Sequence, residues 1–146
     1  MGIVRLCEPT RNALADSLGI TVDAGGQTAT IALYAAPMPD DADSPVSSQA
    51  LLVETSFTYP CAGPAEGGEI ILTGKSDAKR LAVGTGRATW ARIFDSDGVP
   101  VLDVDVGTVG SGAVIQMDDP TFRKGGSPLD LKTMTLGWPS AGGRRP

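Results

Sequence analysis

Four aspartates, Asp95, Asp97, Asp103 and Asp105, stand within eleven residues of the stretch ATWARIFDSDGVPVLDVDVG, residues 88–107. Carboxylates so close can do two kinds of chemistry: hold a hard cation, or act as a general acid and base pair. A calcium loop needs acids at positions 1, 3 and 5, Gly at 6 and Glu at 12. Counted from Asp95, position 5 is Val99 and glycine falls at position 4, so the pattern fails. Asp-Gly between two alternating runs is instead a strong hairpin signal, because Asp97 tolerates positive φ and Gly98 prefers it. On the returning run Leu102, Val104 and Val106 alternate with Asp103 and Asp105. A strand sends successive side chains to opposite faces, so the apolar set meets the core and both aspartates face outward, about 7 Å apart. That spacing falls in the range of paired-carboxylate enzymes, yet any half-exposed strand produces it. The expectation is a hairpin with a solvated acidic face, and no catalytic, metal or cofactor site.

The remaining chemistry is thin. The chain has no histidine, which removes the commonest general base and transition-metal ligand. Ser44, Ser47 and Ser48 therefore have no imidazole to activate them. The run 107–112 is glycine-rich but lacks the order of a dinucleotide loop and the lysine of a P-loop. Cys7 and Cys61 have no metal-ligand spacing, and we read them as unpaired thiols of a protein made in a reducing cytoplasm. Trp90 and Trp138 are read as core or core-edge residues before a sugar platform.

The elements around these residues are short. The 146 residues make one domain, able to bury a core without staples. With 19 glycines and 11 prolines, turns are frequent, which favours a β-sandwich over a helical bundle. One helix is expected over residues 8–19, with Pro9 and Thr10 at its start, Leu14 and Leu18 on one face, and Gly19 closing it. Strands are expected over 27–34, 49–59, 69–73, 78–84, 86–94, 101–106, 113–117 and 129–138. Residues 37–48 form a long polar loop of the kind that is functional or mobile, and 107–112 a flexible connection. In the last strand the apolar parity changes between Leu131 and Met134, and a bulge near Lys132 and Thr133 would reconcile it. The fold class is all-β, a jelly-roll-like antiparallel β-sandwich with one short N-terminal helix. Residues 1–8 are an arm, 9–139 the sandwich domain and 140–146 a flexible tail.

Charge sets the partners. The net charge is −5, with scattered basic residues, so nucleic acid is not an expected partner. No apolar run approaches the roughly 20 residues that span a bilayer, and the first residues are too short and polar for a signal peptide. The motif for myristoylation needs Ser or Thr at position 6, where this chain has Leu6.

The run from Ala88 to Pro139 resembles a set of small virion proteins of tailed bacteriophages. The resemblance rests on Trp90, Arg92, Phe94, the turn Asp95 to Gly98, Asp105 to Gly107, Gly110 to Gly112, Phe122, Gly125, Gly126 and Thr133 to Leu136. In the N-terminal half the runs RNALADSL, TIALY and ALLV are similar as well. The resemblance implies a non-enzymatic structural protein, like the capsid cement (decoration) proteins of podoviruses with HK97-like shells. It carries no catalytic residues. The implied partners are the major capsid protein and further copies of this chain, with a dimer as the first expectation. The implied location is the capsid exterior. An acidic surface suits basic shell patches. Contact residues expected on this reading are Arg5 and Leu6 in the arm, Asp40 and Asp41 in the loop, and Trp138. A tail or neck component is the alternative within the virion. A module for host-surface glycans, using Trp90 or Trp138 and acidic calcium ligands, is the alternative outside that class.

Overall fold

The computed structural model describes residues 2–75, 80–126, 131 and 133–138. Among them are one helix, α1 (Glu8–Val22), and nine strands: β1 (Thr30–Tyr34), β2 (Leu51–Ala62), β3 (Glu69–Gly74), β4 (Gly86–Arg87), β5 (Trp90–Phe94), β6 (Pro100–Thr108), β7 (Ile115–Met117), β8 (Thr121–Phe122) and β9 (Thr133–Gly137). Seven strands form one sheet in the order β7-β6-β5-β1-β2-β3-β9, and β4 pairs with β8 apart from it. The outermost strands β7 and β9 line a common cleft of about 330 Å³, with Val114 and Gln116 on one wall and Thr133 and Thr135 on the other. The sheet therefore curls until its two ends face each other, a nearly closed, sandwich-like barrel. The all-β class with one helix is as the alternation predicts.

The sheet is mixed, not wholly antiparallel. Strands β6 and β7 run parallel, pairing Val106 with Ile115 and Thr108 with Met117. Parallel neighbours ordinarily need a crossover of a dozen residues or more. Here residues 109–114 suffice, because the shared ladder is only three pairs long. The return is tight: Ser111 N–H donates to the Thr108 carbonyl at 3.0 Å, and Gly110 and Gly112 take φ of 87° and 85°, a left-handed region that only glycine enters cheaply.

Two irregularities shape β2. Leu33 faces Val53 while Tyr34 faces Leu51, so Leu52 is an extra residue. That bulge lets Leu52 and Val53 both enter the main core. Further on, Phe57 faces Gly74 and Ala62 faces Leu72. The surplus residues around Pro60 loop out, as a residue without an N–H requires.

Helix α1 is longer than expected. Gly19 lies inside it and Asp23 caps it, so the reading of Gly19 as the closing residue is corrected. The buried face is Ala15, Gly19 and Val22, with Leu18 partly buried and Leu14 exposed. Gly19 permits close approach: a Cβ there would sit 3.4 Å from Ile70 Cδ1. The core below the helix contains Ile31, Leu33, Phe57, Leu72, Ile93 and Leu136.

The strand expected over 78–84 does not form where it is described. Residues 80–84 are irregular, and the N–H groups of Val83 and Gly84 both turn to the Leu52 carbonyl. The expected bulge at Lys132 and the expected 140–146 tail lie outside the described residues.

Candidate functional site

The acidic stretch folds as a hairpin but is not a solvated face. Asp95 is buried at the turn, where its Oδ1 accepts the N–H groups of Asp97 at 2.9 Å and Val99 at 3.0 Å. Within this turn positive φ falls on Gly98, so Asp97 is not needed in the left-handed region. Asp105 is exposed, and its Oδ1 accepts the N–H of Val114 at 2.8 Å, tying β6 to the return loop.

Asp103 departs most from expectation. Its carboxylate takes a forked pair from Arg92, Nε to Oδ1 at 2.6 Å and Nη2 to Oδ2 at 2.9 Å, with the two side chains 2% and 6% exposed. Arg92 Nη1 donates to the Ser44 carbonyl at 2.7 Å, and its guanidinium lies 5.4 Å from the Trp90 ring centroid. Trp90 stacks on Tyr34 at 4.6 Å and donates its Nε1–H to the Ala35 carbonyl. The reason is the 37–48 loop, which closes over this face through Ser44 and Val46. A second small core of Ala32, Tyr34 and Trp90 forms beneath it. Burial, and secondarily the charge of Glu54, pushes the Tyr34 phenol up. The hydrogen bonds to Asp103 push the Arg92 guanidinium up, keeping it a cation despite desolvation.

The loop itself is ordered from within. Asp41 Oδ1 accepts the N–H of Asp43, the N–H of Ser44 and the Ser44 hydroxyl. Gln49 bridges the loop's ends, donating to the Pro37 carbonyl at 2.8 Å and accepting from Ser47 N–H at 2.8 Å. Asp41 is thus a turn-forming residue of the loop, while Asp40 is exposed beside it.

The helix carries a feature the sequence reading missed. Asn12 Oδ1 accepts Gly68 N–H at 2.7 Å, Asp16 Oδ1 accepts Ala65 N–H at 2.8 Å, and the Asp23 carboxylate accepts Cys61 N–H at 3.0 Å. Positions 12, 16 and 23 share one helix face. They receive the N–H groups of Cys61, near the end of β2, and of Ala65 and Gly68 in the β2–β3 connection, which runs antiparallel to them, a side-chain ladder in place of a strand. Spacing of four and then seven polar acceptors is the sequence signal for it. The Cys61 thiol is buried beside the Gly19 carbonyl and pushed up to about 12, by burial first and then by the Asp23 charge. Cys7 stands exposed at the helix start, its thiol held below the usual range by a hydrogen bond with Thr10.

Large apolar side chains gather beyond this ladder. Ile20 is 72% exposed. A groove of about 600 Å³ runs past it between α1 and Pro60, Ala62 and Pro64. A second cleft, of about 460 Å³, shares Gly63 and Pro64 with the first and is lined by Ile71 and Thr135. Among the expected contact residues, Leu6 and Trp138 fall near each other, beside the first turns of α1. The Leu6 carbonyl accepts Arg11 Nη1, Arg11 lies against Gly68, and the Gly68 carbonyl accepts Trp138 N–H. Arg5 is exposed in the arm next to Leu6. Asp40 and Asp41 belong to the loop on the Arg92 face instead. Trp138 is partly exposed, whereas Trp90 is fully buried and not available to a glycan.

Among the described residues no group of three or more acidic or cysteine side chains could hold a metal ion. No described helix is long and apolar enough to cross a membrane. Comparison with family models, with curated proteins and with solved structures gives no match.

Proposed function

We propose that this chain is a non-enzymatic structural protein of a tailed-bacteriophage virion, a decoration protein that docks on the outside of the capsid shell and stiffens it. One observation carries the reading. The carboxylates able to do chemistry are used by the fold itself, Asp95 in a turn, Asp103 in a buried pair and Asp105 on a loop N–H. Meanwhile Ile20, Tyr59, Ile71 and Trp138 stand exposed on the surface. A well-braced sheet with outward apolar side chains suits attachment to a partner surface. The resemblance of residues 88–139 to phage virion proteins supplies the partner class, the major capsid protein. An acidic chain suits basic patches on such a shell. Repeated over the lattice, weak contacts would sum to firm attachment.

Copy number in purified particles tests this, by quantitative mass spectrometry against the major capsid protein. A ratio near one or a simple fraction such as one half is expected. A handful of copies per particle would move the protein to the tail or neck. Absence from particles would overturn the reading.

A further inference from the structure

Between two rungs of the side-chain ladder a groove opens at the surface beside the helix. It is the 600 Å³ groove, with the Asp16–Ala65 and Asp23–Cys61 hydrogen bonds at its ends and Gly19, Ile20, Pro60 and Pro64 in its walls. Its walls are mostly apolar, with the carboxylates of Asp16 and Asp23 at its two ends. An isoleucine as exposed as Ile20 beside such a groove is an unmade contact.

The chain carries a segment of matching chemistry. Residues 2–6 precede α1 without regular structure, with Ile3 83% and Val4 84% exposed and Arg5 following them. Two adjoining apolar side chains and one cation complement an apolar groove with acidic ends. We propose that the arm of a second copy of this chain fills the groove, with Ile3 and Val4 against Ile20 and Arg5 facing Asp16 or Asp23.

The path of the arm favours a second copy over its own groove. From Glu8 to Ile20 the helix rises about 18 Å, at 1.5 Å per residue. From Val4 back to Glu8 the chain spans at most about 14 Å fully extended, before any reversal of direction. Cys7 is extended, with φ −71° and ψ 161°, and the Leu6 carbonyl is tied to Arg11, so the arm's root is fixed at the first turn. Within one chain Ile3, Val4 and Ile20 all stay exposed, so the arm does not fill its own groove. Two copies related by a two-fold axis can exchange arms reciprocally, closing the assembly at a dimer. Each arm then raises the effective concentration of the other. This inference stands independently of the virion reading, since it concerns the isolated chain.

The experiment is light scattering on the purified full chain, beside a variant lacking residues 2–6 and an Ile20→Glu variant. The wild type is expected to be a dimer and each variant a monomer, with melting temperatures close to wild type. Mixing the two variants restores association, because one keeps the groove and the other the arm. Independently, Val4→Cys with Ile20→Cys in a Cys7→Ser background is expected to oxidise to a covalent dimer on a non-reducing gel. A monomeric wild type, a dimer that survives loss of the arm, or a disulfide formed within one chain would each overturn the proposal.

Discussion

Asp23, the residue that caps helix α1, accepts the backbone N–H of Cys61 with both carboxylate oxygens, at 3.0 and 3.2 Å, across 38 positions of chain. The bulge around Pro60 takes that N–H out of the strand ladder, and a buried N–H left without an acceptor is costly. Replacing Asp23 with Ala should therefore lower stability by about 2 kcal/mol, the range for a hydrogen bond to a charged group. Asp16→Ala, at an exposed position, should cost about 1 kcal/mol or less. Urea denaturation checks both, read as midpoint shifts at unchanged m. Equal losses at the two positions would contradict the argument.

The Cys61 thiol gives a pH dependence of definite sign. Its pKa is pushed up to about 12 in the folded chain, against about 8.5 for an unfolded cysteine. Between these values the folded state keeps a proton that the unfolded state releases. The contribution is whole below about pH 8.5 and declines as pH rises toward about 12. Cys61→Ala should show a flatter alkaline limb than the wild type in urea midpoints taken across that window. Parallel limbs would refute the assignment.

Thiol labelling separates the two cysteines. Cys7 is exposed and its thiol is held below the usual range, whereas Cys61 is buried and held above it. Iodoacetamide at neutral pH should modify Cys7 alone in the native protein and both thiols in denaturant. Peptide mass mapping reads the result, and rapid native labelling of Cys61 would count against the packing described.

Removing one half of the Arg92–Asp103 pair should cost far more than removing both. Asp103→Ala leaves a guanidinium buried without its counter-charge, a loss of about 3 kcal/mol or more. The double replacement Arg92→Met with Asp103→Leu fills the site with apolar volume and should recover most of that loss. A double-mutant cycle on urea midpoints gives the coupling directly. Additive single losses would show that the pair is not acting as a unit.

Gly19 offers a test of opposite sign. It lies mid-helix, and an added Cβ would meet Ile70 Cδ1 at 3.4 Å, an ordinary contact distance. Gly19→Ala should then raise stability by about 0.5–1 kcal/mol through helix propensity. Gly19→Val should lose stability by forcing the helix away from β3. A stabilised valine variant would mean that the helix is not seated on Ile70 as described.

Alternation over Leu102, Val104 and Val106 and the turn at Asp95 to Gly98 were legible because their causes are local. The fate of Asp103 was not. Strand parity says which face a side chain takes, but not what covers that face. What covers it is a polar loop whose Ser44 lies 48 residues from Arg92. The same reason hid the helix ladder. Asn12, Asp16 and Asp23 read as ordinary surface residues until the β2–β3 connection is brought beside them. Gly19 was misread because glycine serves equally as a helix end and as a small residue on a buried helix face, and only its seat against Ile70 decides between them. The parallel β6–β7 pair was hidden by its brevity, since three pairs of residues leave little periodicity to detect.

The Arg92 guanidinium also sets an order of assembly. Its bonds to Asp103 close within one hairpin, 11 residues apart, whereas its bond to Ser44 closes across 48. Hairpins form in roughly 1–10 μs, and wider closures wait on the entropy of the longer chain segment. The 37–48 loop should therefore settle late, onto a cation that β5 and β6 have already fixed. In reverse it is the part that detaches first, so the native protein should breathe at this loop while the sheet beneath stays shut. The aromatic pair of Tyr34 and Trp90 would then meet water in brief openings long before the molecule unfolds.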